Sequence, residues 1–163
     1  MQIIVADTSP VRYLAEIGHL DLLPRLFETI IIPSVVYEEL QHPAAPQSVR
    51  AAVNPPPQWL RVLPIEVVDD PVLMDLDDGE KAALTLGLSL KADLILIDER
   101  RGAEAARIKG LEFTGTLGIL VRAAQRQWID LAEAFAQLRQ TNFYCSEDLM
   151  RRLPRRHGGY AAT

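Results

Sequence analysis

The chain holds a single cysteine, Cys145, in 163 residues. No intrachain disulfide and no cysteine-built zinc site can form from it. No apolar run reaches the roughly 18 residues that a spanning helix needs, so no membrane span is expected. No basic stretch leads into an apolar core near Met1, so no export signal is expected, and the protein is expected in the cytoplasm. Glycine-rich nucleotide loops are missing: neither the GxGxxG nor the Walker A pattern occurs. There is no internal repeat. Positive charge is scarce as well. The net charge of -5 argues against a generally basic nucleic-acid glove, but not against a nucleic-acid enzyme whose metal ions mask local acids. The length, with 48% hydrophobic and 24% charged residues, suits one globular domain with a sizeable core.

What is present begins with IIVADTSP, residues 3–10. Ile3 to Ala6 is continuously apolar, which suits a strand buried on both faces of a parallel sheet. Asp7 ends it. Ser9 then reads as an N-cap, and Pro10 fits the first helical position. Asp7 would thus stand at the carboxyl end of a strand, the edge where open α/β sheets bind ligands.

The remaining pattern alternates. Helices are expected over 10–17 and 22–27, a strand over 28–33, and a helix capped by Ser34 through VVYEELQH. A proline-rich linker over 43–58 carries a short helix at 47–53. An edge strand follows at 59–62, then an irregular acidic stretch over 64–76. A helix over 77–90, a strand over 93–97, a helix over 102–109 and a strand over 111–114 come next. Helices over 116–127, 131–140 and about 146–153 close the chain. Strands alternating with helices indicate a parallel sheet.

Other acids fall at matching places. Glu38 and Glu39 are adjacent on a helix and point roughly 100° apart. Val35, Val36 and Leu40 want the core, so only one glutamate can face the strand ends; both could equally be solvated. In LDDGEKAAL, residues 76–84, Asp77 and Glu80 have the spacing of a capping box. An acid there is favoured by the helix dipole in any case. Gly79 lets another group approach the backbone closely. In LILIDERRG, residues 94–102, a second buried strand ends in Asp98 and Glu99, either repeating IIVAD or capping the next helix. Two strand-end aspartates on neighbouring strands would be buried like charges, which need a cation, a proton or an arginine. Oxygen ligands without His or Cys suit Mg²⁺ or Mn²⁺. Two such ions about 4 Å apart can support phosphodiester hydrolysis.

The stretches VADTSPVRYLAEIGHLDLL, IIIPSVVYEEL, LDDGEKAAL, LILIDERRG and GTLGILVRAAQRQWI together resemble a PIN domain, the metal-dependent ribonuclease fold of many toxin–antitoxin toxins. The likeness is to a PIN-like subgroup of largely uncharacterised proteins. It runs over residues 3–150, so a domain is expected over 1–150, and composition marks 151–163 as a basic tail. It implies a three-layer α/β/α fold with a five-stranded parallel sheet in the order 3-2-1-4-5. By position it assigns the family's acids to Asp7, Glu39, Glu80 and Asp98. Ser9 would be the small polar residue that holds an acid or a metal-bound water. Where relatives carry a second aspartate this chain has Glu99, one methylene longer, which could bind metal, act through water or face solvent. Arg12 replaces an apolar residue and would put a cation near the cleft or on the helix surface. The resemblance further implies an RNA substrate, Mg²⁺ or Mn²⁺, an antitoxin partner and a homodimer formed through helices.

Gly115, Thr116 and Gly118 follow a strand and open a helix. Thr116 could be its N-cap, or the helix start could offer N–H groups to a phosphate. The tail holds Arg151, Arg152, Arg155 and Arg156, either a solvated end or a contact for RNA or an acidic partner. Leu117, Ile119, Leu120, Val121, Trp128, Ile129, Phe135 and Leu138 are mostly core by pattern, with a surplus that would suit a two-fold interface. The segment from Glu66 to Glu80 has seven acids and no base; the four outside any motif read as surface. Two other classes compete. One is a PIN-like module without catalysis that binds RNA or protein, which the presence of all four acids disfavours. The other is a receiver or phosphatase-like domain. It would need an acidic pair or DxD after the first strand, and Thr8 and Ser9 stand there instead.

Overall fold

A computed structural model describes residues 2–143. The chain divides into two compact units, Met1–Thr116 and Leu117–Thr163. The first unit opens with strand β1 (Ile4–Ala6), helix α1 (Thr8–Glu16) and helix α2 (Leu22–Phe27). Strand β2 (Ile30–Pro33), helix α3 (Ser34–Leu40), helix α4 (Gln47–Val53) and strand β3 (Leu60–Leu63) follow. Helix α5 (Asp78–Leu90), strand β4 (Leu94–Leu96), helix α6 (Arg100–Ile108) and strand β5 (Phe113–Thr114) complete the alternation.

The five strands pair in parallel in the order β3-β2-β1-β4-β5. This is the order that the resemblance implies. β1, β2 and β4 are buried at every residue, the burial that continuous apolar runs call for in a sheet covered on both faces. From β1 the chain winds one way through β2 to β3, then returns to the other side for β4 and β5. Right-handed crossovers in opposite directions place helices on opposite faces, giving three α/β/α layers. The winding reverses between β1 and β4, where Ala6 pairs with Leu96 and the Asp7 N–H donates to the Leu96 carbonyl at 2.9 Å. Ligands gather at such a reversal, beyond the carboxyl ends of the strands.

Helix starts depart from expectation for local reasons. α1 begins at Thr8, with Asp7 in the cap position, so Ser9 lies inside the first turn and is not the N-cap. Pro10 is tolerated one turn in because that N–H has no intrahelical partner anyway. Ser34 likewise falls inside α3, behind Pro33. α6 starts two residues earlier than expected because the Glu99 carboxylate accepts the Arg101 N–H at 3.1 Å. Asp98 does not cap it. The stop at Gly18 matches a left-handed residue, with φ of +77°.

The acidic stretch after β3 is more ordered than its composition suggests. A 3-10 turn occupies Pro71–Leu73. Leu73 and Leu76 are buried among Val5, Ile31, Leu84 and Ile95. Asp70 accepts the Val72 N–H at 2.9 Å and pairs with Lys109, so it is no simple surface acid.

The second unit contains most of helix α7 (Thr116–Gln125), and helix α8 (Leu131–Arg139). Asp130 caps α8 through the Glu133 N–H. Ile119, Leu120, Val121, Phe135 and Leu138 are buried, whereas Leu117, Trp128 and Ile129 are half-buried. Cys145, the helix expected near 146–153 and the arginines of the tail lie outside the described residues. Among the described residues no helix is long and apolar enough to cross a membrane.

Candidate active site

Five elements bring acids to the reversal between β1 and β4. A cleft of about 240 Å³ there is lined by Asp7, Ser9, Arg12, Glu39, Glu80 and Glu99, with Thr8, Tyr13 and Asp77 completing the wall. Asp7 enters from the end of β1. Glu39 comes from the last turn of α3 and accepts the Thr8 hydroxyl at 3.0 Å. Glu38 is absent from the wall, as their roughly 100° separation requires.

Glu80 comes from the first turn of α5 and does two things. Its Oε1 accepts the Asp77 N–H at 3.0 Å while Asp77 accepts the Glu80 N–H at 2.8 Å, a complete capping box. It also faces the cleft. Gly79, between them, is required by close approach. A Cβ there would meet Glu39 Oε1, and would lie 3.2 Å from Asp7 Oδ1. The bare backbone lets both carboxylates crowd the start of α5.

Asp98 sits one strand over, held from behind. Its Oδ1 accepts the Thr116 N–H at 2.6 Å and its Oδ2 accepts the Thr116 hydroxyl at 2.7 Å. Ser9 donates to it from α1. Thr116 therefore spends its hydroxyl on Asp98 and not on capping its own helix. Its N–H is likewise engaged by Asp98, so that group is not offered to a phosphate. Arg12 stands in the cleft wall, 3.2 Å from Glu16 and over the Tyr13 ring.

The electrostatics of this cluster run one way. Burial pushes the Asp7 carboxyl up to about 8, with Asp77, Glu80 and Glu39 adding like-charge repulsion against a lowering contact from the Thr8 backbone. Desolvation also raises Glu39 and Glu80, and the neighbouring acids Asp77 and Glu99 add to it at Glu80. Burial raises Asp98, opposed by its bonds to Thr116 and Ser9. Among the described residues none of these four acids forms an ion pair.

A family model, DUF3368, described as a PIN domain, matches residues 3–158. The chain belongs to the PIN-domain family. No match was found among curated proteins. PIN domains are generally metal-dependent nucleases that use divalent ions and act on RNA or DNA, so the fold here is a nuclease fold.

The chemistry of this PIN cleft fits such an ion. Its donors are carboxylate and hydroxyl oxygens, which suit hard cations. One acid is buried without a balancing charge, an arrangement that protonation or a cation relieves. Among the described residues no three candidate ligands stand close enough to share an ion as the side chains are disposed.

Sequence reasoning had no place for Thr8, Tyr13 or Asp77 in the wall. Thr8 adjoins Asp7, and Asp77 belongs to the capping box, so both carried a signal of position. Tyr13 carried none beyond its location one turn after Ser9.

Proposed function

We propose that this PIN-domain protein is a metal-dependent endoribonuclease, the toxin component of a type II toxin–antitoxin pair. One observation carries the reading: Asp7, Glu39 and Glu80 face one cleft at the sheet's reversal, with Asp98 at the adjoining strand end and no cation paired to any of them among the described residues. Asp7, Glu80 and Asp98 would hold Mg²⁺ or Mn²⁺, with Glu39 and Glu99 as further ligands. When bound, the ion lowers the pKa of water and neutralises charge on phosphate and leaving oxygens.

The chain's own groups do the rest. Thr8 orients Glu39, the Asp77 N–H orients Glu80, and Thr116 with Ser9 orients Asp98. Fixing the acids in advance reduces the reorganisation that catalysis would otherwise require. Arg12 gives the acidic wall a guanidinium suited to a phosphate of the bound strand. Hydrolysis adds water across one P–O bond, and the proton of water ends on the departing sugar oxygen. The choice of RNA, the toxin role, the antitoxin and the homodimer rest on the family resemblance. A module that binds RNA or protein without cutting is the alternative reading.

The test is cleavage of a single-stranded RNA by the purified protein with Mn²⁺. Asp98→Ala is expected to abolish cutting, and excess chelator to stop the wild type. Equal activity in wild type and mutant would assign the cutting to a contaminant and leave the binding module. The dimer is tested separately. Light scattering at micromolar concentration is expected to give twice the chain mass of 18.2 kDa, and a clean monomer contradicts it.

A further inference from the structure

A second concave surface borders helix α5 at Lys81. Its volume is about 410 Å³, and Val67, Val68, Pro71, Leu73, Met74 and Lys81 line it together with Asp69 and Asp70. Val67, Val68 and Met74 are 45%, 60% and 68% exposed, three of the five large apolar side chains that stand out into solvent among the described residues. Loose chain does not explain that display. The segment is pinned by the Asp70–Lys109 ion pair, by the Val72 N–H on Asp70, and by the burial of Leu73 and Leu76. A fixed loop that turns apolar groups outward around a groove suits an interaction surface. Met74 adds an adaptable side chain of the kind that recognition grooves use.

The charge around the groove selects the occupant. Asp69 lines it, and Glu66, Asp75 and Asp78 are exposed in the same segment. None of these four forms an ion pair among the described residues. Lys81 is the single base in the lining. A phosphate backbone would be repelled by this rim, whereas a cationic segment would be drawn to it.

We propose that the groove docks a short basic–apolar segment of a partner protein. Its aliphatic side chain would seat against Val68, Leu73 and Met74, and its arginine or lysine would lie over Asp69. Glu80 lines the cleft and Lys81, the next residue of α5, lines the groove, so a docked partner would sit beside the cleft. The proposal does not depend on the cleft being a nuclease site.

Three fluorescein-labelled probes test it by anisotropy with the full chain: a ten-residue peptide alternating leucine and arginine, its twin with glutamate for arginine, and a ten-nucleotide oligouridine. The basic peptide is expected to bind, and the acidic twin and the RNA to show no affinity that depends on the groove. Val68→Ser with Met74→Ser, and separately Asp69→Asn, are expected to weaken the basic peptide about tenfold, a loss of roughly 1.4 kcal/mol, with unchanged melting temperature. Glu39→Gln is expected to leave it bound. Peptide affinity that is unchanged in both groove variants, or that falls in Glu39→Gln instead, overturns the proposal. So does loss of RNA rather than peptide affinity in the groove variants.

Discussion

Asp7→Asn is expected to melt at a higher temperature than the wild type when metal is removed by chelator at pH 8 or above. Asp7 is the most buried of the acids and the one nearest to several others in charge. Its carboxyl has an ordinary value of 3.8 and is pushed up to about 8 in the fold. Between these values the folded chain holds a proton that the unfolded chain has released. Stability of the metal-free wild type therefore falls as pH rises through that window, and the loss is complete above it. The asparagine variant lacks this dependence. The gap between the two should open from about pH 4 and level off near pH 8. The cost of burying this charge, with the smaller repulsion from its neighbours and less the cost of fitting a neutral amide, amounts to roughly 1–3 kcal/mol. At about 2–4 °C per kcal/mol for a chain of this size, the melting temperature should rise by several degrees. Scanning calorimetry in chelator at pH 5 and pH 8 checks it. A variant less stable than wild type at both values would show that Asp7 is held by contacts and not strained by charge.

Gly115→Ala should lower RNA cleavage about 100-fold without unfolding the protein. A Cβ at this position would lie 2.5 Å from Asp98 Oδ1 and 3.1 Å from the Ile97 carbonyl. The first contact is shorter than non-bonded atoms tolerate, so the carboxylate must move. Moving it disturbs both bonds to Thr116. Displacement of a reacting constellation by about 1 Å can cost two orders of magnitude in rate. Thr116→Val removes only the hydroxyl and keeps the N–H on Asp98, so its loss should be nearer tenfold. Single-turnover cleavage with Mn²⁺ measures both, beside circular dichroism to confirm folding. Wild-type rates in Gly115→Ala would mean that the position of Asp98 does not matter to cleavage.

The strand ends were legible because burial on two faces demands unbroken apolar runs, and an acid that breaks such a run is conspicuous. That argument found Asp7 and Asp98. Helical phase allowed only one of Glu38 and Glu39 to face the strand ends, and it was the resemblance that pointed to Glu39. The strand order came from the resemblance and not from spacing. What stayed hidden depends on side-chain direction across elements. Ser9 looked like a cap, yet with α1 starting at Thr8 it points across to Asp98 on the next strand. Thr116 looked like a cap as well, but lies 18 residues beyond Asp98 and meets it only because β4 and β5 are neighbours. Thr8 meets Glu39 for a similar reason, through the pairing of β1 with β2. The stretch from Glu66 to Asp75 read as solvated surface because composition does not reveal that Leu73 and Leu76 anchor it from within.

We infer that these acids form a divalent-metal site built around Asp7. Titration of Mn²⁺ into the metal-free protein by calorimetry, for wild type and Asp7→Asn at pH 7.5, tests it most directly. Saturable binding is expected for the wild type, weakened by about two orders of magnitude or lost in the variant. Unchanged Mn²⁺ affinity in a folded Asp7→Asn protein would contradict it.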